Sequence, residues 1–546
     1  MNFKMDTHQN ISDGTNAWQA SFSTLQMHYK NELLAARNTS GLSHQPVPRK
    51  LTTEAYIMLC TILLFAILTV IGSSITVYEK YKKIGKESSL TAKKREKKEE
   101  KNGFKKTLNF FCFITNAKRT FNISSKDEQL ICLNGIRAIS ALLAVFFHSC
   151  WLSSNVFKSS ERYHYIVKTR MTLFFYNGVF VVDTFFVLSG LLNAYSFCHR
   201  HGKSEGKISW ISFYARRFLR ISPLYFFVIG FYSTLFSYLG SGVLWPTYDT
   251  NPVCKENWIW HTLYVNNFNS QMKQCLMTTW YLPCEMQLYI ISPIFLLLLM
   301  RKPKAGYAII VLGICCSCLN NFIYTKQYKL VDGMRAFSDY YPDNVGTFYR
   351  RFWEYFDMLY VKPIPRLGSY LIGLTLGHYL YQRKFSPIKP WSPVTLSLGW
   401  IITAIFLWIS IFALYGREEY AMEFAVYNGL KHLLFSCSVV WVIFVCATGQ
   451  GGFVNKFLSN KMFIVISSVS FATYLAHFFI LERYYLMHEE LRDFKLMLSI
   501  RHLALQYLQI FIVSAVVSTI FEAPMSRITQ LFLDGSKQEI KTIKQI

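Results

Sequence analysis

The sequence predicts an all-α polytopic membrane protein with about eleven transmembrane helices. Of its 546 residues, 52% are hydrophobic and only 16% are charged, whereas soluble domains carry about 25% charged residues. The apolar residues form long runs, and a helix that crosses a bilayer needs ~20 of them in succession. Lys and Arg lie between these runs, as in proteins whose basic loops set membrane orientation. The formal net charge of +26 therefore indicates membrane orientation and no nucleic-acid partner.

Eleven apolar runs are the candidates for transmembrane helices. Residues 1–54 contain no apolar core, so we expect the first run to be a retained anchor helix and not a cleaved signal peptide. The approximate spans are 55–78, 133–152, 172–196, 221–240, 280–300, 305–324, 364–381, 392–414, 431–448, 462–482 and 503–521.

The basic connections predict which side of the membrane each run faces. The segment 80–106 is heavily basic and is expected in the cytoplasm, first as a disordered linker and alternatively as a solvated charged helix or a tether on anionic lipid. Strict alternation then puts the N-terminus outside and the C-terminus in the cytoplasm, in the plasma membrane or endoplasmic reticulum of the secretory pathway. Sequons at Asn10 and Asn38 would be open to glycosylation, and the loops 241–279 and 325–363 would be external. The other basic connections on the cytoplasmic side are 199–220, 301–304, 382–384 and 536–544.

Ionisable residues inside a bilayer are costly and are therefore candidates for function. Arg137 and His148 lie eleven residues apart on the second run, which puts them on one helical face with a rise of roughly 16 Å between them. They would line one stripe of a cavity. The alternative, of equal weight, is that Arg137 reaches the membrane interface and His148 makes an ordinary interhelical hydrogen bond.

Two other groups of charged residues lie near this helix. Asp183 falls about midway along the third run, where a carboxylate needs a partner, and Arg137 is available as one. A structural ion pair is the preferred interpretation. Arg216, Arg217 and Arg220 share a helical region at the cytoplasmic side, where guanidinium groups would bind phosphates of lipid or of a nucleotide-like cofactor. Plain orientation of the membrane helix is the alternative for these three.

Two ionisable residues of later helices are expected near His148. Glu285 lies in the first turn of the fifth run, with Tyr289 on the same face, and His477 lies in the outer half of the tenth. By the predicted topology His148, Glu285 and His477 therefore converge at one leaflet, which favours a site over packing.

Two of the 13 Cys residues are expected to form a disulfide. Cys254 and Cys275 are the only cysteines of the loop 241–279, which the topology places in an oxidising compartment. The others lie mostly in apolar runs and are expected to be small buried residues. No cysteine spacing fits a metal site, so no metal is expected.

Six short segments follow one another between residues 132 and 524. They are the R-x10-H pair Arg137 and His148, GVFVVDTFFVLSG, RRFLRISP, WYLPCEMQLY, SFATYLAH and FEAP. In this order they resemble motifs of the acyltransferase 3 family, and the order makes the resemblance specific although each segment alone is weak. FEAP, at 521–524, places Glu522 at the family's E-x-P position.

The loop before residue 280 and the additional first helix resemble the nose resistant to fluoxetine group of that family. Residues 1–54 contain no Cys and so lack the Cys-rich external domain of the group. Phe471 stands where the family often has Tyr. The resemblance implies an external tail 1–54, an anchor helix 55–78, a basic linker 79–131, a ten-helix acyltransferase domain 132–524 and a cytoplasmic tail 525–546.

The resemblance also implies an integral-membrane O-acyltransferase. Acyl-CoA would be the donor, and a lipid, sterol or other hydroxyl compound would be the acceptor. His148 would be the general base or carry the acyl group itself, with Glu285 and His477 beside it. Arg137, Arg216, Arg217 and Arg220 would hold the donor, whereas Asp183, Cys254, Cys275 and Glu522 would be structural.

A transport or lipid-handling protein is the main alternative function, because a fold does not settle function and the same residues would line a permeation path. A receptor-like or scaffold protein is a third reading, and it fits poorly because the sequence has no recognisable soluble domain.

Overall fold

A computed structural model describes most of the chain. The residues described are 49–84, 107–123, 130–153, 177–203, 208–242, 245–331, 345–383, 390–414, 421–487 and 496–531. Four features predicted from the sequence lie outside them: the sequons at Asn10 and Asn38, nearly all of the basic segment 80–106, and the C-terminal tail beyond residue 531.

All regular structure in the described part of the chain is helical. Short 3-10 turns and two π-helical segments, Phe356–Tyr360 and Ser518–Glu522, connect or extend the α-helices. In chain order the α-helices are α1 Thr53–Ile84, α2 Phe113–Thr120, α3 Cys132–Ser153, α4 Val181–Lys203, α5 Trp210–Thr234, α6 Pro252–Thr262, α7 Tyr281–Arg301, α8 Pro303–Tyr328, α9 Val345–Tyr355, α10 Pro363–Arg383, α11 Pro393–Phe412, α12 Ala421–Ala447, α13 Gly452–Leu458, α14 Lys461–Ser468, α15 Ser470–Leu486 and α16 Leu496–Val517.

Eight of these helices, within the residues described, are long and apolar enough to cross a membrane. A ninth span is formed if α14 and α15, which meet at a bend of 64°, are counted as one. The predicted count of eleven is therefore not confirmed. Of the two remaining predicted spans, 364–381 lies within α10, and 221–240 lies only partly in α5, which ends at Thr234. Both helices are more polar than a lipid-facing span, since α5 carries three Arg in its first half and α10 carries a buried Arg and a buried His.

The helices run between two ends of one bundle. We call the end at which α1 begins the upper end, and the end at which α4 finishes the lower end. Ala55 of α1 packs against Leu235, just beyond α5, so α5 finishes at the upper end. Under the predicted topology the upper end would be external.

The closest helix contact in the bundle joins α4 and α10. A Cβ atom added to Gly373 would overlap the backbone of Val187, and one added to Gly377 would overlap the backbone of Leu191. These two glycines form a G-x-x-x-G pattern on α10, the arrangement that lets membrane helices approach backbone to backbone. Gly190 of α4 makes the same kind of approach in the opposite direction, since a Cβ atom added there would overlap the backbone of Tyr370 on α10. The contact fixes the position of α4, whose residues line the site described below.

Two long connections are tied to each other at the upper part of the bundle. Cys254 and Cys275 are joined by a disulfide, as predicted. The Asp357 carboxylate accepts hydrogen bonds from the backbone N–H of Gln271 and the hydroxyl of Ser270, both at 2.7 Å. The segment that follows Cys254 is thereby fixed against the segment that precedes α10.

The backbone contact predicts a position-dependent response to one methyl group. Gly377→Ala should lower the melting temperature of the detergent-solubilised protein, because overpacking a close contact costs ~1–3 kcal/mol. Gly368→Ala is the matched control on the same helix, since a Cβ there would lie 3.4 Å from Ser317 Oγ, an ordinary contact. Both changes gain the same helix propensity of about 1 kcal/mol. Equal melting temperatures for the two variants would contradict the proposed contact.

Candidate active site

A cavity of about 910 Å³ lies within the bundle. Its lining reaches from Trp151, at the end of α3 near the upper end, to Arg200, in the last turn of α4 at the lower end. This volume lies near the top of the range of small-molecule sites, roughly 300–1,000 Å³. The predicted site residues on its wall are Arg137, His148, Arg216, Arg217, Arg220, Glu285, His477 and Glu522.

The upper part of the cavity holds a histidine pair, His148 of α3 and His477 of α15. Nε2 of His477 lies 3.1 Å from Nδ1 of His148. Nδ1 of His477 lies 2.8 Å from the carbonyl oxygen of Tyr474, so in the neutral ring it carries the proton and Nε2 is the acceptor. Nδ1 of His148 must then be a donor, which agrees with its 2.8 Å distance to the carbonyl oxygen of Ala144.

This arrangement leaves a free lone pair on Nε2 of His148. In the described part of the chain that nitrogen has no hydrogen-bond partner, and the half-buried ring lines the cavity. His477 is buried and accepts the hydrogen bond from the other ring nitrogen of His148, Nδ1. An imidazole whose Nδ1–H is held in this way is oriented to accept a proton, or to attack an electrophile, through Nε2.

A second group, which we call the lower cluster, consists of Arg137, Ser189, Arg217 and Glu285. Glu285 is buried, forms an ion pair with Arg217 and accepts a hydrogen bond from the Ser189 hydroxyl. The Arg217 guanidinium also lies over the Tyr289 ring, 5.2 Å from its centroid. Arg137 lies close enough to Arg220 and to Arg217 for the guanidinium groups to repel one another. The cluster therefore concentrates positive charge on one wall of the cavity.

The structure corrects the predicted position of Glu285. Glu285 makes no hydrogen bond to His148 in the described regions. It lies beside Ser189 of α4, whereas Phe147, the residue before His148 on α3, lies against Gly178. Gly178 and Ser189 are eleven residues apart, a helical rise of roughly 16 Å. Glu285 is thus at the depth of Arg137 and not at the depth of His148. The connection that precedes α7 already enters the bundle, so the first turn of α7 lies inside it.

The lower mouth of the cavity is lined by Arg216 and Arg220 of α5. Arg220 is exposed, and Arg216 is half-buried. Glu522, in the π-helical segment after α16, accepts a hydrogen bond of 2.9 Å from Ser518 and lies within electrostatic reach of Arg220. Among the residues described, Glu522 is thus the acidic group near Arg220, and it neutralises only part of the positive charge at this mouth.

Asp183 does not pair with Arg137, contrary to the partner suggested by the sequence. Its fully buried carboxylate accepts hydrogen bonds from Arg366 of α10 at 3.0 and 3.1 Å, and from Nδ1 of His432 of α12 at 2.8 Å. Ser369 adds a fourth bond at 3.1 Å. Arg366 is a closer partner because α10 lies against α4 along its glycine face, whereas Arg137 faces the cavity.

Three residues of the site and its support were missed by the sequence reasoning. Ser189 lies within the motif GVFVVDTFFVLSG but has no ionisable side chain to attract notice. Tyr281 lines the cavity between the two groups, with its ring 5.6 Å from that of Tyr474 and within electrostatic reach of Arg137. Arg366 could have been found, since it is an ionisable residue inside the predicted span 364–381.

The buried pair predicts a large cost for removing one partner. Arg366→Gln should destabilise the protein by about 3–5 kcal/mol, because it leaves the Asp183 carboxylate uncompensated. Arg383→Gln, at the exposed end of the same helix, removes a surface hydrogen bond to Tyr379 and a cation–π contact with its ring, and it should be near neutral. Thermal unfolding and the monodisperse yield of both variants measure the difference. A stable Arg366→Gln protein would contradict the pairing.

These features define a multi-pass helical membrane protein with a charged internal cavity. The chain belongs to the acyltransferase 3 family, whose acyltransferase domain matches residues 130–523.

Three relatives show how the chain compares with named proteins. It is 25% identical over 467 residues to nose resistant to fluoxetine protein 6 of Caenorhabditis elegans, covering 80% of this chain and 55% of that protein. It is 30% identical over 266 residues to regulator of hypoxia-inducible factor 1 of the same organism, covering 46% and 49%. It is 25% identical over 320 residues to "Putative peptidoglycan O-acetyltransferase YrhL" of Bacillus subtilis (strain 168), covering 55% and 44%. The chain thus spans about half the length of these relatives, and no solved structure matches it.

Proposed function

We propose that this protein transfers an acyl group from acyl-CoA to a hydroxyl acceptor inside its membrane cavity. The observation that carries the proposal is that one cavity contains both a cluster of guanidinium groups and the histidine pair. The Bacillus subtilis relative is named for a reaction of the same class, O-acetyl transfer. The acceptor proposed here is a membrane lipid, a sterol or another hydroxyl compound.

The lower mouth is the proposed binding site for the donor's phosphates. Arg216 and Arg220 face the cavity there, and guanidinium groups bind phosphate in a bidentate manner. Arg217 is committed to Glu285, so its role is to hold the lower cluster in place. With the donor entering from the lower end, Arg137 lies along its path toward the histidines.

His148 is the proposed general base. Its Nε2 takes the proton of the acceptor hydroxyl while that oxygen attacks the thioester carbonyl. The C–S bond then breaks, and the departing thiolate takes the proton from the His148 imidazolium and leaves as the free thiol. His477 holds the Nδ1–H of His148 and stabilises the imidazolium that forms. A direct attack by His148 that gives a transient acyl-imidazole uses the same lone pair.

The two groups are separated by roughly 16 Å of helical rise, which assigns them different tasks. The lower cluster and the lower mouth bind the anionic part of the donor, and the thioester extends upward to the histidine pair. Under the proposed topology the donor comes from the cytoplasm and the acceptor meets it near the opposite leaflet. The proposed acyltransferase domain, residues 132–524, would contain the donor site and the histidine pair.

Removal of the base is the direct test. His148→Ala should lower the rate of acyl transfer by about 10²–10⁴-fold, while the folded yield stays near that of the native protein, since an interhelical hydrogen bond contributes ~0.6 kcal/mol on average. The assay follows labelled acyl-CoA with purified protein in lipid nanodiscs. His378→Ala is the matched control, because His378 lies on α10 away from the cavity and contacts Tyr307.

The outcomes separate the proposal from its rival. Undiminished transfer by His148→Ala would refute the role of that histidine. Full biological activity of the native protein without any measurable transfer would favour a transport or lipid-handling protein.

The donor site makes a separate prediction about affinity. Arg216→Gln and Arg220→Gln should each raise the KM for acyl-CoA about tenfold or more with little change in kcat, because a hydrogen bond to a charged group contributes roughly 1.5–3 kcal/mol. The control is Arg527→Gln, whose side chain donates to the backbone oxygen of Asn109 outside the cavity lining. The steady-state rate is measured against acyl-CoA concentration at two salt concentrations. An unchanged KM in both variants would place the donor elsewhere.

A further inference from the structure

The helix α6 has its polar and apolar faces reversed. Cys254, Asn257 and His261 are buried against the protein, whereas the opposite face exposes large apolar side chains. A helix at the surface of a soluble domain does the opposite, since it buries its apolar stripe and presents its polar face to water. The exposed apolar side chains are Trp258 at 55%, Ile259 at 47%, Trp260 at 42% and Leu263 at 65%.

The contacts of α6 show how far it descends from the upper end. At its start the Asn251 N–H donates to the backbone oxygen of Ser233 on α5, at 2.8 Å. Just beyond its end Tyr264 is 2.9 Å, hydroxyl to hydroxyl, from Ser222 on the same helix. Ser233 and Ser222 are eleven residues apart, a rise of roughly 16 Å. The segment therefore runs antiparallel to α5 for about half the ~30 Å thickness of a bilayer core.

The first helix fixes the level at which this descent begins. Ala55, at the start of the apolar stretch of α1, packs against Leu235 at the upper end of α5, and Thr52 is 3.4 Å from Thr250 between their hydroxyls. Lys255, in the first turn of α6, lies within electrostatic reach of Glu54. The charged first turn of α6 is thus level with the beginning of a membrane span.

We infer that α6 is a re-entrant element whose apolar face contacts the acyl chains of membrane lipid in the upper leaflet. The side chains along it follow the polarity of that leaflet, with Lys255 and Glu256 first, Trp258 and Trp260 next, and Leu263 deepest. Trp is favoured at the membrane interface and Leu in the hydrocarbon core.

The turn that follows α6, which we call the tip, is covered by protein, as such a depth in the membrane requires. Backbone without regular structure is tolerated at membrane depth only where protein or a wet cavity covers it. Asn267 is fully buried and donates to Gln287 at 3.1 Å, and its backbone oxygen accepts from Lys362 at 2.8 Å. Gln274 is paired with Asn266 by two hydrogen bonds of 2.6 and 2.7 Å. The polar groups of the tip are therefore turned inward, away from lipid.

Aqueous labelling along α6 tests the inference in the full chain. The variants Glu256→Cys and Leu263→Cys are kept in intact membranes. A membrane-impermeant maleimide is applied from both sides of the membrane, and the labelling of the native chain is subtracted. Glu256→Cys should be labelled, and Leu263→Cys should be labelled only after denaturation in SDS. Equal labelling of both positions in folded, monodisperse protein would overturn the inference.

The identity of the contacting molecule is tested by photo-crosslinking. Benzoyl-phenylalanine replaces Leu263, and the protein is reconstituted in vesicles of phosphatidylcholine that carry an alkyne-tagged acyl chain. Tagged lipid should become attached to the protein, and the yield should fall sharply with the same group at Glu256. A crosslinked dimer in place of lipid adducts would overturn the assignment in favour of a second copy of the chain. Neither readout depends on acyl transfer.

Discussion

A carboxylate without access to water lies between an arginine and a histidine that belong to two other helices. Asp183, Arg366 and His432 come from α4, α10 and α12, and none of them is tolerable in an apolar interior without the others. The Arg366 guanidinium also donates through Nε and Nη2 to the backbone oxygen of Tyr360, at 3.1 and 3.0 Å. These three residues therefore fix three helices and the turn that enters α10. Both α4 and that turn are walls of the cavity.

The glycine contact between α4 and α10 works with this ion pair. Backbone approach at Gly373 and Gly377 brings α10 near enough for Arg366 to reach Asp183, and the ion pair sets which turn of one helix meets which turn of the other. With α4 fixed in this way, Ser189 presents its hydroxyl to Glu285 of α7. The lower cluster is then a consequence of helix packing. Its Arg217 is held in the cavity by Glu285, which has no other charged partner in the described residues.

Local patterns in the sequence were sufficient for some of these features and insufficient for others. The eleven-residue spacing of Arg137 and His148 determines a common face on one helix, so their joint position on the cavity wall follows from the sequence. The partner of Asp183 does not, because Arg366 and His432 lie 183 and 249 residues away along the chain. The depth of Glu285 was missed for a similar reason. Counting from the start of α7 assumes that the helix begins at the membrane surface, and here the preceding segment has already entered the bundle.

The same segment connects the lipid-facing surface with the cavity. Gln271 and Met277, on its return from the tip, line the cavity, while Leu263 on the descending helix faces outward. Its chain thus forms a thin partition between the proposed reaction space and the surrounding acyl chains. The disulfide between Cys254 and Cys275 ties the descending and returning parts together, and constraining such a loop lowers the entropy of its unfolded alternatives. A partition of this kind can stay thin because its buried hydrogen bonds and the packing of Tyr264 and Leu276 into the apolar core together hold its shape.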